Sequence, residues 1–156
     1  MLTNDGRLFA PDGLAGTPAD EYDGGETQGP QVPSEGDGTV SELAKRSCVP
    51  CKGGTAPLTS VEIAPLIGQV KGWAVERDHH LRKTFRFKDF KATLEFVNRV
   101  GAIAEQEGHH PDISFGWGKA TIEIWTHKID GLTESDFILA AKIDEAVHTV
   151  SGYRPA

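Results

Sequence analysis

Two adjacent histidines, His109-His110, followed by Pro111, are the residues of this chain best placed to do chemistry. They stand between a stretch with helical periodicity and one with strand alternation, so their side chains project from fixed backbone. Pro111 fixes its own φ and biases His110 toward extended geometry. Successive extended residues point in opposite directions, so His109 and His110 are expected to do different jobs. His127 lies at the far end of the following hairpin, and with a turn near Gly118 it returns to roughly the level of His109. Glu105, about one helical turn before His109, is placed to hydrogen-bond one imidazole and set its tautomer. Two or three imidazoles around one cleft suit a reaction that removes one proton and adds another, because an unperturbed imidazole exchanges protons near neutral pH.

Other readings of the same residues stay open at this point. A histidine at a helix end often has a structural role or faces solvent. His109, His110 and Glu105 could also be metal ligands, but adjacent extended side chains diverge, and neither H-E-x-x-H nor a C-x-x-C…H-x-x-x-H spacing is present. His79-His80 falls among charged residues between two strands and is expected in a solvated loop. His148 is expected in the last turn of the final helix, where a cation favours the dipole. Cys48-x-x-Cys51 lies outside the periodic region and lacks the βαβ setting of a redox pair. Trp73 and Trp125 fit core positions, whereas Trp117, between Gly116 and Gly118, is expected half exposed at a turn.

The elements that must position these groups follow from periodicity. Thr59-Ser60-Val61-Glu62 reads as a capping box, with Ile63, Leu66, Ile67 and Val70 at helical spacing and Pro65 keeping that helix short or kinked. Gly72 to Glu76 reads as a strand. Leu81 to Phe87 is a second, with Leu81, Phe85 and Phe87 on one face and Arg82, Thr84 and Arg86 on the other. Asp89 caps a long helix ending at Gly108, with Phe90, Leu94, Val97, Gly101 and Ala104 as its apolar stripe. A hairpin follows, from Asp112 to Gly116 and from Ala120 to His127. Thr133-Glu134-Ser135-Asp136 then opens a last helix carrying Phe137, Ala140, Ile143, Val147 and Val150. The order is αββαββα, an α+β single domain with a four-stranded antiparallel sheet and helices packed on one face. The other sheet face is left exposed or shared with another subunit.

The 156 residues carry 16 Lys+Arg against 23 Asp+Glu, a net charge of −7. Residues 1–40 hold eight of the acids and one base, so the remainder is neutral. The acidity therefore belongs to one segment, and no basic face suited to nucleic acid is present. Residues 1–45, rich in Gly and Pro and poor in large apolar side chains, are expected to form a disordered acidic tail, with the folded domain over residues 46–156. No apolar run is long enough for a membrane helix and no secretory or transit signal opens the chain, so a cytoplasmic location is expected.

Together these residues resemble the signature of the pterin-4a-carbinolamine dehydratase family. The shared pattern is Glu105-x-x-x-His109-His110-Pro111, then Trp117, His127 and Asp136 at matching intervals. Gly72-Trp73, the stretch Thr126-His127 through Gly131-Leu132-Thr133, and the run Asp136 to Asp144 add to it. Similar bacterial members also carry the Cys-x-x-Cys-Lys-Gly-Gly segment. The resemblance covers about residues 46–150. It implies dehydration of a 4a-hydroxytetrahydropterin to the quinonoid dihydropterin, which recycles the pterin of aromatic amino acid hydroxylases such as phenylalanine hydroxylase. It implies no cofactor and no metal, a small-molecule pterin as the partner, and assembly as dimers or tetramers. By position it makes His109, His110 and His127 the catalytic and pterin-contacting set, with Glu105, Trp73 and Asp136 as substrate-binding residues. Members that have lost catalysis, among them Rubisco assembly factors, make a non-catalytic binding module the rival. The three retained histidines favour the enzyme.

Overall fold

The computed structural model describes residues 41–49 and 55–155. Residues 1–40 of the expected tail lie outside them, as do residues 50–54 with Cys51. The helix α1, Ser60–Ile67, is opened by the Glu62 carboxylate, which accepts from the Thr59 N–H and hydroxyl, both at 2.8 Å. With Pro65 inside it, α1 is only eight residues long. Strands β1, Ala74–Glu76, and β2, His80–Phe87, pair antiparallel with Val75 opposite Leu81. Asp89 caps α2, Phe90–Glu107, by accepting from the Ala92 N–H at 2.8 Å.

Strands β3, Asp112–Gly116, and β4, Lys119–Ile124, form a hairpin in which Gly116 faces Lys119, leaving Trp117 and Gly118 as the connection. Gly118 has φ 68°, and a Cβ there would come within 2.9 Å of the Phe87 carbonyl oxygen, so the turn needs glycine. The last helix, α3, spans Glu134–His148 behind a Thr133/Asp136 capping box. Its long apolar run is buried almost all round, which fits a helix at the centre of the core.

The sheet runs β1-β2-β4-β3, and every pairing is antiparallel. It has five strands where four were expected. The fifth, β5, Tyr153–Arg154, pairs with Phe87 and Arg86 at the end of β2 that β1 does not reach. Leu81, Phe85, Ala120, Ile122 and Ile124 are buried on the face that α2 and α3 cover. The opposite face is polar. Arg82 lies 3.5 Å from Glu123 there, and the Thr84 and Thr121 hydroxyls are 3.0 Å apart.

Three expectations are corrected. The buried stripe of α2 is Ala92, Thr93, Phe96, Val100 and Ala104. Phe90 and Leu94 instead face outward, 42% and 38% exposed, and the Phe90 ring lies 6.0 Å from that of Phe115 on β3. Both faces of α2 carry apolar residues at helical spacing, so period alone does not choose between them. The unpartnered apolar surface is thus the outer side of α2 with the edge of β3, not the polar sheet face. Second, His79-His80 is not a freely solvated loop. His80 begins β2 opposite Glu76, the two Nδ1 atoms are 3.1 Å apart, and His79 Nε2 lies 3.0 Å from Asp130. Third, the packed region reaches back to Ser41. Leu43 is 3% exposed within the core, and the Ser41 N–H donates to Glu145 at 2.9 Å.

No helix among the described residues is long and apolar enough to cross a membrane. The revised phase of α2 has a direct consequence for stability. Phe96, fully buried against Phe85 and Phe87 at centroid distances of 4.7 and 5.0 Å, anchors α2 to the sheet. Phe96→Ala is expected to cost about 3–5 kcal/mol in urea unfolding; a loss within about 0.5 kcal/mol, typical of an outward-facing position, would contradict this phase.

Candidate active site

The end of α2 sets the position of the histidine pair. Gly108 takes the left-handed conformation, φ 61°, which stops the helix, and the His109 N–H turns back to the Ala104 carbonyl at 3.1 Å. His109 is thereby fixed against the first turn of α3. Its Nε2 lies 2.7 Å from Oδ1 of Asp136, a carboxylate with no exposed surface. The Thr133 N–H at 2.6 Å and the Thr126 and Thr133 hydroxyls at 3.0 and 3.1 Å converge on Oδ2. A carboxylate only accepts, so Nε2 of His109 carries the hydrogen, and Nδ1 is the ring nitrogen left to exchange a proton with a ligand.

His127 arrives from the other side. The β3–β4 register, continued past Asp112 and Glu123, brings residue 126 to the level of residue 109. After β4 ends at Ile124, Thr126 bridges Gly131, and the loop between them presents an exposed His127 edge-on to Trp125, with ring centroids 4.3 Å apart. His109, His110 and His127 therefore line one cleft of about 210 Å³, as the sequence predicts. His110 is more exposed and pairs with Glu105 at 2.9 Å. Exposed on both sides, that contact contributes little stability and leaves both groups able to turn toward a ligand.

The expected substrate contacts fare differently. Glu105 reaches His110, but it does not itself line the cleft. Asp136 lies behind His109, out of reach of any ligand, so it orients an imidazole and caps α3. Trp73 is not brought to the cleft. It is 6% exposed within the core and donates its indole N–H to Asp144 at 3.1 Å. Burial raises the Asp144 pKa despite the Lys83 ammonium 2.6 Å away. Among the described residues no three His, Cys, Asp or Glu come together as metal ligands; His109 and His110 face different carboxylates.

Glu107, Trp125 and Cys48 line the cleft without having been expected there. Trp125 precedes His127 by two residues, which was the available signal, since strand alternation puts both on one side. Cys48 comes in from the segment ahead of α1, which no local pattern ties to this site. Burial, with the Glu107 carboxylate next, pushes its thiol up to about 12, so it is neutral at physiological pH. Glu107 is nearly buried. Burial is the largest single influence on it and acts upward, but an ion pair with Lys142 and the Cys48 N–H at 2.8 Å together hold its pKa below the ordinary 4.5.

Because the folded pKa of Glu107 is depressed, its stabilisation is complete above about pH 4.5 and is lost as pH falls through the folded value. Glu107→Gln is expected to cost about 1–3 kcal/mol at pH 7. The gap from the unmodified protein should narrow in urea unfolding below pH 4.5, whereas a constant gap would show that the carboxylate charge is not involved.

Residues 56–146, more than half the chain and including all three histidines, match the family model described as Pterin 4 alpha carbinolamine dehydratase. A Rubrobacter xylanophilus protein named "Putative pterin-4-alpha-carbinolamine dehydratase" is 60% identical over 105 residues, 67% of this chain and 98% of its own length. A protein of the same name from Alkaliphilus metalliredigens is 51% identical over 107 residues, covering 68% of this chain and 96% of its own. The crystal structure of a transcriptional coactivator/pterin dehydratase from Brucella melitensis superposes with a TM-score of 0.56 at 27% identity, over 58% of this chain and 98% of that one. The cleft that gathers three imidazoles, the αββαββα order that runs through α3 and these likenesses agree, and the chain belongs to the pterin-4a-carbinolamine dehydratase family.

Proposed function

We propose that the protein dehydrates a 4a-hydroxytetrahydropterin to the quinonoid dihydropterin, with imidazoles as acid and base. The observation that carries this reading is the pair of His109 and buried Asp136, 2.7 Å apart, with His127 in the same cleft. In the reaction the 4a carbon–oxygen bond breaks, the departing hydroxyl takes a proton and leaves as water. A ring N–H gives up a proton, and its electrons form the new carbon–nitrogen double bond. The net proton count is unchanged, so the protein has to supply one acid and one base, with no net redox change. His109, locked by Asp136 so that only Nδ1 exchanges, and the exposed His127 fill these two parts. His110 with Glu105 contacts the pterin at the rim. The product is the form that a reductase returns to the tetrahydropterin used by aromatic amino acid hydroxylases, which places the protein beside phenylalanine hydroxylase in function.

Loss of synthetic 4a-hydroxytetrahydropterin should accelerate with the purified protein. His109→Ala and His127→Ala should each lower kcat by roughly 10²-fold or more. A rate equal to buffer, or undiminished rates in both variants, would overturn the reading in favour of a non-catalytic module.

The protein acts as a homo-oligomer, a dimer or tetramer, docked through the outward side of α2 and the edge of β3. Support comes from Phe90, Leu94 and Phe115, a cluster of exposed apolar side chains that solvent alone would cover. Sedimentation velocity should give a multiple of the 16.8 kDa chain, reduced toward one chain by Leu94→Glu. A single-chain mass for the unmodified protein would rule this assembly out.

A further inference from the structure

The segment over residues 41–49 lies ahead of the part that matches the family model, which begins at residue 56. It nevertheless forms a strap across the site. Leu43 is sunk in the core, Arg46 makes a two-pronged ion pair with Glu134, and the Cys48 N–H donates to Glu107 at 2.8 Å. Ser135 then clamps the backbone of Val49 from both sides, accepting from its N–H at 3.1 Å and donating to its carbonyl at 3.2 Å. The Cys48 thiol donates to the Ser135 carbonyl at 3.4 Å.

The result is an unusual placement for an apolar side chain. The backbone of Val49 is tied down by a buried serine, yet the residue is 71% exposed and lines the same cleft as His109, His110 and His127. Holding a β-branched side chain rigidly in solvent gives no folding benefit. Holding it where a bicyclic ligand will exclude water from it favours binding, because the backbone that carries it is ordered beforehand and its apolar surface is covered on binding. Beside it Cys48 stays a thiol, and the Glu107 carboxylate is met by the Lys142 ammonium. The valine methyls offer an apolar contact for the uncharged bicyclic ring system of a pterin.

We propose that Val49 is a substrate-contacting residue that sets affinity for the pterin ring, and that Ser135 is the positioning residue that holds it there. The inference rests on the dehydratase reading but adds a wall to the site that the matched family region does not contain. It also gives the Cys48 segment a part that is neither redox nor metal-binding: Cys48 supplies a backbone N–H and a neutral thiol to the strap.

The test uses the full chain and its Val49→Asp, Val49→Leu and Ser135→Ala variants. It follows steady-state dehydration of 4a-hydroxytetrahydropterin alongside binding of an unreactive dihydropterin, monitored by tryptophan fluorescence. Val49→Asp should raise KM and the dihydropterin Kd about tenfold or more, with kcat within about twofold and an unchanged Tm. Val49→Leu should restore affinity, and Ser135→Ala should raise KM by freeing the strap. A structural role alone would lower Tm without moving the ratio of KM to kcat. An active parent whose KM and Kd are untouched by Val49→Asp overturns the inference and leaves the dehydratase reading standing. A parent that binds dihydropterin without turnover, with binding weakened by Val49→Asp, overturns the dehydratase reading and upholds the contact. A parent that neither binds nor turns over overturns both.

Discussion

The structure of the site depends on one buried carboxylate. Asp136 has no exposed surface, and an ionised group taken out of water costs several kcal/mol unless its lone pairs are met. Here they are met from three separate places in the chain: the Thr133 N–H and hydroxyl that open α3, the Thr126 hydroxyl after β4, and His109 after α2. Satisfying the charge therefore requires that the C-terminal end of α2, the end of the β4 strand and the N-terminal end of α3 meet at one point. Those are the positions that carry His109 and, one residue after Thr126, His127. The helix cap and the imidazole orientation are two uses of one group, so neither can be removed without disturbing the other.

Much of this was legible in the sequence, and the limits have physical causes. Capping residues act within one helical turn, so Asp89, Gly108 and the Thr133/Asp136 box mark helix ends without tertiary knowledge. Alternation in β2 likewise identified its buried face. The gathering of His109, His110 and His127 followed from a hairpin register that only needed the turn at Gly118. What local pattern could not decide was which of two apolar stripes on α2 goes inward, because Phe90/Leu94 and Phe96/Val100 have the same period. Strand β5, at two residues, is too short to show a period at all. Trp73 was expected to contact substrate by resemblance, yet its indole N–H found a partner in Asp144 of α3, a contact 71 residues away that no spacing encodes.

The division of charge along the chain takes on a sharper meaning in this setting. The acidic residues before position 40 leave the remainder neutral, and within that neutral part several of the charges around the cleft are paired. Glu107 meets Lys142, Glu134 meets Arg46, and Glu105 meets His110. The overall pI therefore carries no information about the site. What lines the cleft is three imidazoles, an indole and a valine, together with Cys48, Glu107 and Lys128.

Three consecutive residues at the start of α3 divide the work of assembling that surface. Glu134 and Ser135 hold the strap, and Asp136 holds His109. One helical turn thus positions both the His109 side of the cleft and a wall beside it, and the two are rigidly related because successive residues of a helix have fixed angular offsets. At the other end of the same strap contact, Glu107 is the last residue of α2, two before His109, so the strap is also fastened to the element that delivers the imidazole.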